Sequence, residues 1–162
     1  MSSWIDVVGS FITGGIIILI LANLNIYISS STANNLYTNV VQQNLITTAE
    51  VLQHDFYKIG YHANSNRIIK ADSNSIKFYA DLNNSGKNEI IYYYPNDRVL
   101  YKSINNAAGK PEGDVTNFKL TYYDSLGNQL SYSKLQGASI RNNIRTINIY
   151  LKVESPDPID GV

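Results

Sequence analysis

The chain has 162 residues, no cysteine, and 13 Lys and Arg balanced by 13 Asp and Glu. That length supports one domain with a real core. The zero net charge argues against a nucleic-acid surface, and the lack of cysteine excludes disulfides and thiolate metal sites.

The chain opens on "WIDVVGSFITGGIIILILANLNIYI", an apolar run with one acid, Asp6, near its start. The next Asp, Glu, Lys or Arg after Asp6 is Glu50. As a helix, residues 7–28 rise roughly 33 Å, which matches a hydrocarbon core of about 30 Å. A cleaved secretory signal carries basic residues before its apolar run. No Lys or Arg precedes this one, so the segment (residues 1–28) is expected to be an uncleaved membrane-spanning helix that meets lipid through residues 7–28. The first basic residue, Lys58, lies beyond the window in which flanking charges set orientation, so orientation is not legible from charge. Ser10 and Gly14 are four apart, as are Gly9 and Thr13. Small residues at this spacing let helices approach closely in lipid, although glycine is common in membrane helices in any case.

"SSSTANN" (residues 29–35) is a poor helix former and is expected to loosen or interrupt the helix. Over residues 29–60 the helical period then resumes. Tyr37, Val41, Leu45, Thr48, Leu52, Phe56 and Ile59 form one stripe, with Gly60 placed to end the helix. Such a stripe is expected to pack on the domain that follows.

From Arg67 onward, within residues 61–162, the period changes to two. "SIKFYADL" puts Ile76, Phe78, Ala80 and Leu82 on one face, and Lys77, Tyr79 and Asp81 on the other. Phe118, Leu120 and Tyr122 alternate in "NFKLTYY", as do Ile147, Ile149, Leu151 and Val153 in "IRTINIYLKVE". "EIIYYYP" and "RVLYKS" read as a hairpin with a Pro95-Asn96-Asp97 turn. This alternation predicts antiparallel strands with one buried face, and a polar tail after Pro156 and Pro158. The fold class is therefore α+β: a long N-terminal helix whose second half packs on an antiparallel sheet.

Few residues suggest chemistry. In "DLNNSGKNE", Asp81, Asn83, Ser85 and Glu89 have the spacing of the first half of a calcium loop. The acid expected at the twelfth position is replaced by Tyr92, and the same residues make ordinary hairpin turns. Glu50, His54 and Asp55 give too few ligands for a metal site, so a solvated helix face is the plainer reading. No nucleophile elbow or phosphate loop occurs, and an enzyme is not expected. The 13 tyrosines suit half-buried strands and could also make a sticky outer face.

An apolar helix that continues as an amphipathic one and packs on an antiparallel sheet resembles the type IV pilin and type II secretion pseudopilin architecture. "VLQHDFYKIGY" resembles the end of the long helix in minor pilins and pseudopilins of the PilW and GspJ kind. "ADSNSIKFYADLNNSGKNEIIYYYPNDRVLYKS" and "VTNFKLTYYDSLGN" resemble the strand blocks after it. A prepilin leader has a basic segment and a glycine, and these are not found before the apolar run. Removal of Met1 would nevertheless make Asp6 the fifth residue, where pilins carry a glutamate. The resemblance implies that this carboxylate meets the N-terminal amine of a neighbouring subunit during assembly, and the small-residue spacing places Ser10 and Gly14 at the helix contact. It implies a single-pass inner-membrane protein with an outward domain, partnered by other pilin or pseudopilin subunits, with no nucleic acid and no obligatory cofactor. Some pseudopilins bind calcium in a sheet-side loop. The rival expectation is a single-pass envelope protein whose β-rich domain binds a ligand or surface and never polymerises.

Overall fold

The structure, a computed structural model, describes residues 3–63 and 67–154. It is α+β. Helix α1 (Ser3–Tyr57) is followed by strands β1 (Ile68–Ala71), β2 (Ile76–Ala80), β3 (Glu89–Asn96), β4 (Val99–Ile104), β5 (Lys110–Asp114) and β6 (Asn117–Tyr123). A 3-10 turn (Lys134–Gln136), a one-turn helix α2 (Ala138–Arg141) and β7 (Thr146–Lys152) complete the chain. The polar tail expected beyond Pro156 and the fate of Met1 lie outside the described residues.

Residues 29–35 do not interrupt α1; they are helical throughout. Just beyond this segment, Thr38 Oγ1 donates back to the Asn34 carbonyl at 2.9 Å. That bond spends the side chain inside the helix instead of against it. The chain divides into two compact units, with the boundary after Val40. In the first, residues 3–40 are helical, and the large apolar side chains from Trp4 to Ile28 are exposed. Tyr37, expected on the buried stripe, is exposed as well.

The second unit begins at Val41 and holds the core. Thr48 and Leu52 are buried, and Phe56 and Ile59 are half-buried against the core. Leaving the helix, Gly60 adopts φ 76° and donates its N–H to the Tyr79 carbonyl at 2.8 Å. A Cβ there would collide with the side chain of Arg67, so glycine is needed for both conformation and space.

Instead of one sheet there are two. The larger has the antiparallel order β1-β2-β3-β4-β5, and β6 and β7 form a separate antiparallel pair. Hydrogen bonds tie the second to the first: Leu120 N–H donates to the Ser73 carbonyl at 2.7 Å, and Tyr122 Oη to the Asp72 carbonyl at 2.9 Å. Ile76, Phe78, Ile91, Tyr93 and Leu100 bury their side chains completely, and the anticipated alternation holds in β2, with Ile76, Phe78 and Ala80 inside, and in β6, with Phe118, Leu120 and Tyr122 inside. Phe56 meets Phe78 edge-on at 5.6 Å and Tyr93 at 5.8 Å between ring centroids, which locks the helix end to this face.

Three details correct the reading from sequence. The β3–β4 turn is Asp97-Arg98, with Asp97 left-handed at φ 53°, while Pro95 stays in the ladder opposite Leu100. Strand β5 was not anticipated, because "KPEGD" has no apolar alternation to reveal it. Asp81, expected on the outward face with Lys77 and Tyr79, is fully buried. β2 ends at Ala80, so the two-residue period no longer governs where Asp81 lies.

Candidate functional site

The assembly residues suggested by sequence lie in the first unit. Asp6, Ser10 and Gly14 follow one another at four-residue steps and share one face of α1. Ser3, Asp6, Val7, Ser10 and Phe11 line a shallow depression there. Ser10 Oγ donates to the Asp6 carbonyl oxygen at 2.8 Å, so its hydroxyl is satisfied within the helix and the Asp6 carboxylate is not its acceptor. A Cβ placed on Gly9, Gly14 or Gly15 would meet nothing within 4 Å, which leaves a smooth surface where another helix can come close. Among the described residues, no Lys, Arg or His forms an ion pair with Asp6. By hydropathy and length this is one helix able to cross a membrane.

The suggested calcium residues are brought together, but the Asp81 carboxylate is buried and turned inward, while Asn83 and Ser85 are exposed. Asp81 Oδ1 accepts the Ser85 N–H at 2.9 Å, and Oδ2 accepts the Gly86 N–H at 2.7 Å. His62 Nδ1 lies 3.0 Å from the same carboxylate. Burial opposes the charge on Asp81. The hydrogen bonds from His62, Gly86 and Ser85 outweigh it and hold the carboxyl below its usual range. Asn83 Oδ1 accepts the Ser85 N–H at 2.9 Å, and its amide donates to Glu89 at 3.3 Å. The Lys58 ammonium sits against the loop, donating to the Leu82 carbonyl at 2.7 Å and to Asn84 at 3.3 Å. The loop is thus a closed hydrogen-bonded turn with a resident cation beside it. Among the described residues, no three His, Asp or Glu side chains are grouped as metal ligands.

A second ionic site was missed from sequence. Asp55, 2% exposed, points from α1 onto the sheet. Lys102 Nζ and Tyr93 Oη each lie 2.5 Å from Asp55 Oδ2, and His54 Nδ1 lies 3.0 Å from Oδ1. Burial, reinforced by the bond to Asp55, pushes the Tyr93 hydroxyl far above the usual tyrosine range, so it is a neutral donor. Burial likewise raises Glu112, with Lys102 opposing and Asp55 adding to the rise. Among the described residues, no buried side-chain polar atom lacks a partner, so this cluster is complete as built. The available signal was spacing: Asp55 falls three residues after Leu52 and seven after Thr48, on the face that packs.

A groove of about 460 Å³ opens where the end of α1 meets β1, α2 and β7. Phe56, Ile59, Ile144, Ile147 and Ile149 line it, and so do Arg67, Arg141 and Arg145. No Asp or Glu does. Arg141 is braced by backbone carbonyls: Nε donates to Ile68 at 3.1 Å, and Nη1 to Leu135 at 2.9 Å and Gln136 at 2.7 Å. Arg145 Nη1 donates to the Asn142 carbonyl at 2.8 Å.

No protein-family model matches the chain, and no curated protein matches it significantly.

Proposed function

We propose that this protein is a membrane-anchored structural subunit of the pilin or pseudopilin kind. In this reading it assembles through its N-terminal helix into a type IV pilus or type II secretion filament, with the sheet-bearing unit outside the cytoplasm. One observation carries the proposal: an exposed, apolar, membrane-length helix with a single carboxylate one turn from its start. A carboxylate in hydrocarbon costs several kcal/mol unless it is paired. The first 57 residues contain no Lys or Arg to neutralise Asp6, so its counter-charge has to come from outside this helix. An amine from the next subunit would turn that cost into a contact that registers one helix against another. The smooth face at Ser10 and Gly14 suits the close approach such a contact needs. The α+β fold, with its helix end packed on antiparallel strands, agrees with this architecture.

The test is topology and assembly together. Protease added to spheroplasts should digest residues beyond 41 and leave a protected N-terminal fragment. Sheared surface or periplasmic filaments should contain the chain. A fully protected C-terminal unit refutes the orientation. An accessible unit on a chain that stays monomeric in the membrane refutes the assembly role and leaves a plain anchor.

A further inference from the structure

The groove at the end of α1 is not used by the assembly reading, and its chemistry is of another kind. Three guanidiniums line it, and no carboxylate does. Among the described residues, none of the three arginines is in an ion pair. Arg141 is held on three carbonyls and presents a fixed charge. Arg67 and Arg145 are exposed at the rim. Between them lies a floor of isoleucine and phenylalanine that the core leaves half-covered. One wall, Ile147 and Ile149, belongs to β7, and among the described residues β7 pairs with β6 alone. Its other edge has no strand partner among the described residues.

We propose that this groove docks an extended, carboxylate-bearing peptide segment of a partner protein, added as a strand beside β7. Strand addition uses the free backbone groups of an edge for affinity and pockets at alternate positions for specificity. Here every second side chain of the incoming segment enters the floor made by Phe56, Ile59 and Ile147. Carboxylates at the two ends of that same face of the segment meet Arg67 and Arg145 at the rim, where guanidinium forks bind carboxylate in bidentate fashion. An anionic lipid headgroup shares the charge but not the strand edge, so a peptide fits more of the observed features. This inference does not depend on the helix of the first unit or on filament assembly.

The experiment uses the full chain in neutral detergent micelles. The probe is a fluorescein-labelled nine-residue peptide with Asp at positions 1 and 9, Ile or Val at 3, 5 and 7, and Ser or Thr at the even positions, and binding is read by anisotropy. Binding should weaken as salt rises and should be lost when Asn replaces every Asp in the peptide. Arg67→Gln and Arg145→Gln should each weaken it about tenfold, and Arg145→Lys should lose less than Arg145→Gln. Both sites are exposed, so unchanged circular dichroism should show that the variants fold. Amide hydrogen exchange on the unmutated chain gives an independent reading: saturating peptide should slow exchange along residues 146–152. The proposal is overturned if the peptide does not bind, if the Asn peptide binds equally well, or if β7 amides keep their rates. It is equally overturned if anionic vesicles of phosphatidylglycerol bind through these arginines while the peptide does not.

Discussion

At the residue scale, the two buried carboxylates behave differently. Asp55 gathers Lys102, Tyr93 and His54, so removing it leaves an ammonium largely buried without its counter-charge. Breaking a buried pair from one side is costly, whatever the pair itself contributes to stability. Asp55→Ala should therefore destabilise the protein by about 3–5 kcal/mol in denaturant titration. Tyr93→Phe, which loses one hydroxyl donor, should cost about 1–2 kcal/mol. Equal, small effects would show that the cluster is open to water.

Asp81 acts through pH. Its carboxyl is held below the ordinary value of 3.8 in the folded protein. The stability it supplies is therefore fully present above that value and is lost as pH falls through the lowered folded value. The unmutated chain should lose melting temperature between about pH 5 and pH 2 more steeply than Asp81→Asn does. Parallel profiles would mean that the loop does not need the charge.

At the scale of elements, the packing of α1 on the sheet is tight enough to be read from one glycine. A Cβ on Gly113 of β5 would run into the buried side chain of Thr48, whose branched Cβ leaves it little freedom to turn away. Gly113→Ala should cost about 1–3 kcal/mol, as other overpacked sites do. Adding Thr48→Ala should recover part of that cost, and a double-mutant cycle measures the coupling. Strictly additive losses would place the two elements further apart than described. Leu52→Ala, with no such relief, should cost about 2–5 kcal/mol.

The same elements show what the sequence could reveal. The stripe from Thr48 to Ile59 and the alternation of Ile76, Phe78, Leu120 and Tyr122 were legible, because burial imposes its period on apolar residues. Strand β5 was not, since an edge strand of polar residues and Pro111 carries no such period. Asp55 was hidden for a related reason. A polar residue on a buried face looks like a break in the pattern until its partner, 47 residues away in the case of Lys102, is brought beside it.

At the scale of the whole molecule, the boundary after Val40 separates an exposed apolar helix from a unit with its own core. A chain beginning at Val41 should fold as a soluble monomer, because Leu52, Phe56 and the sheet retain their contacts. Its melting temperature should lie within a few degrees of the full chain's. Aggregation of that shortened chain would mean that residues before Val41 belong to the fold.

The central claim is that α1 carries assembly through Asp6, and the most direct measurement is cysteine crosslinking in native membranes. The natural sequence has no cysteine, so a single one placed at Gly14 reports only on its own contacts. Subunits with Asp6 should crosslink through this position and enter filaments. Asp6→Asn should insert equally well but crosslink and assemble poorly, while Asp6→Glu should retain both. Crosslinking and assembly that are undiminished in Asp6→Asn would contradict the account and reduce the carboxylate to an ordinary residue at the membrane surface.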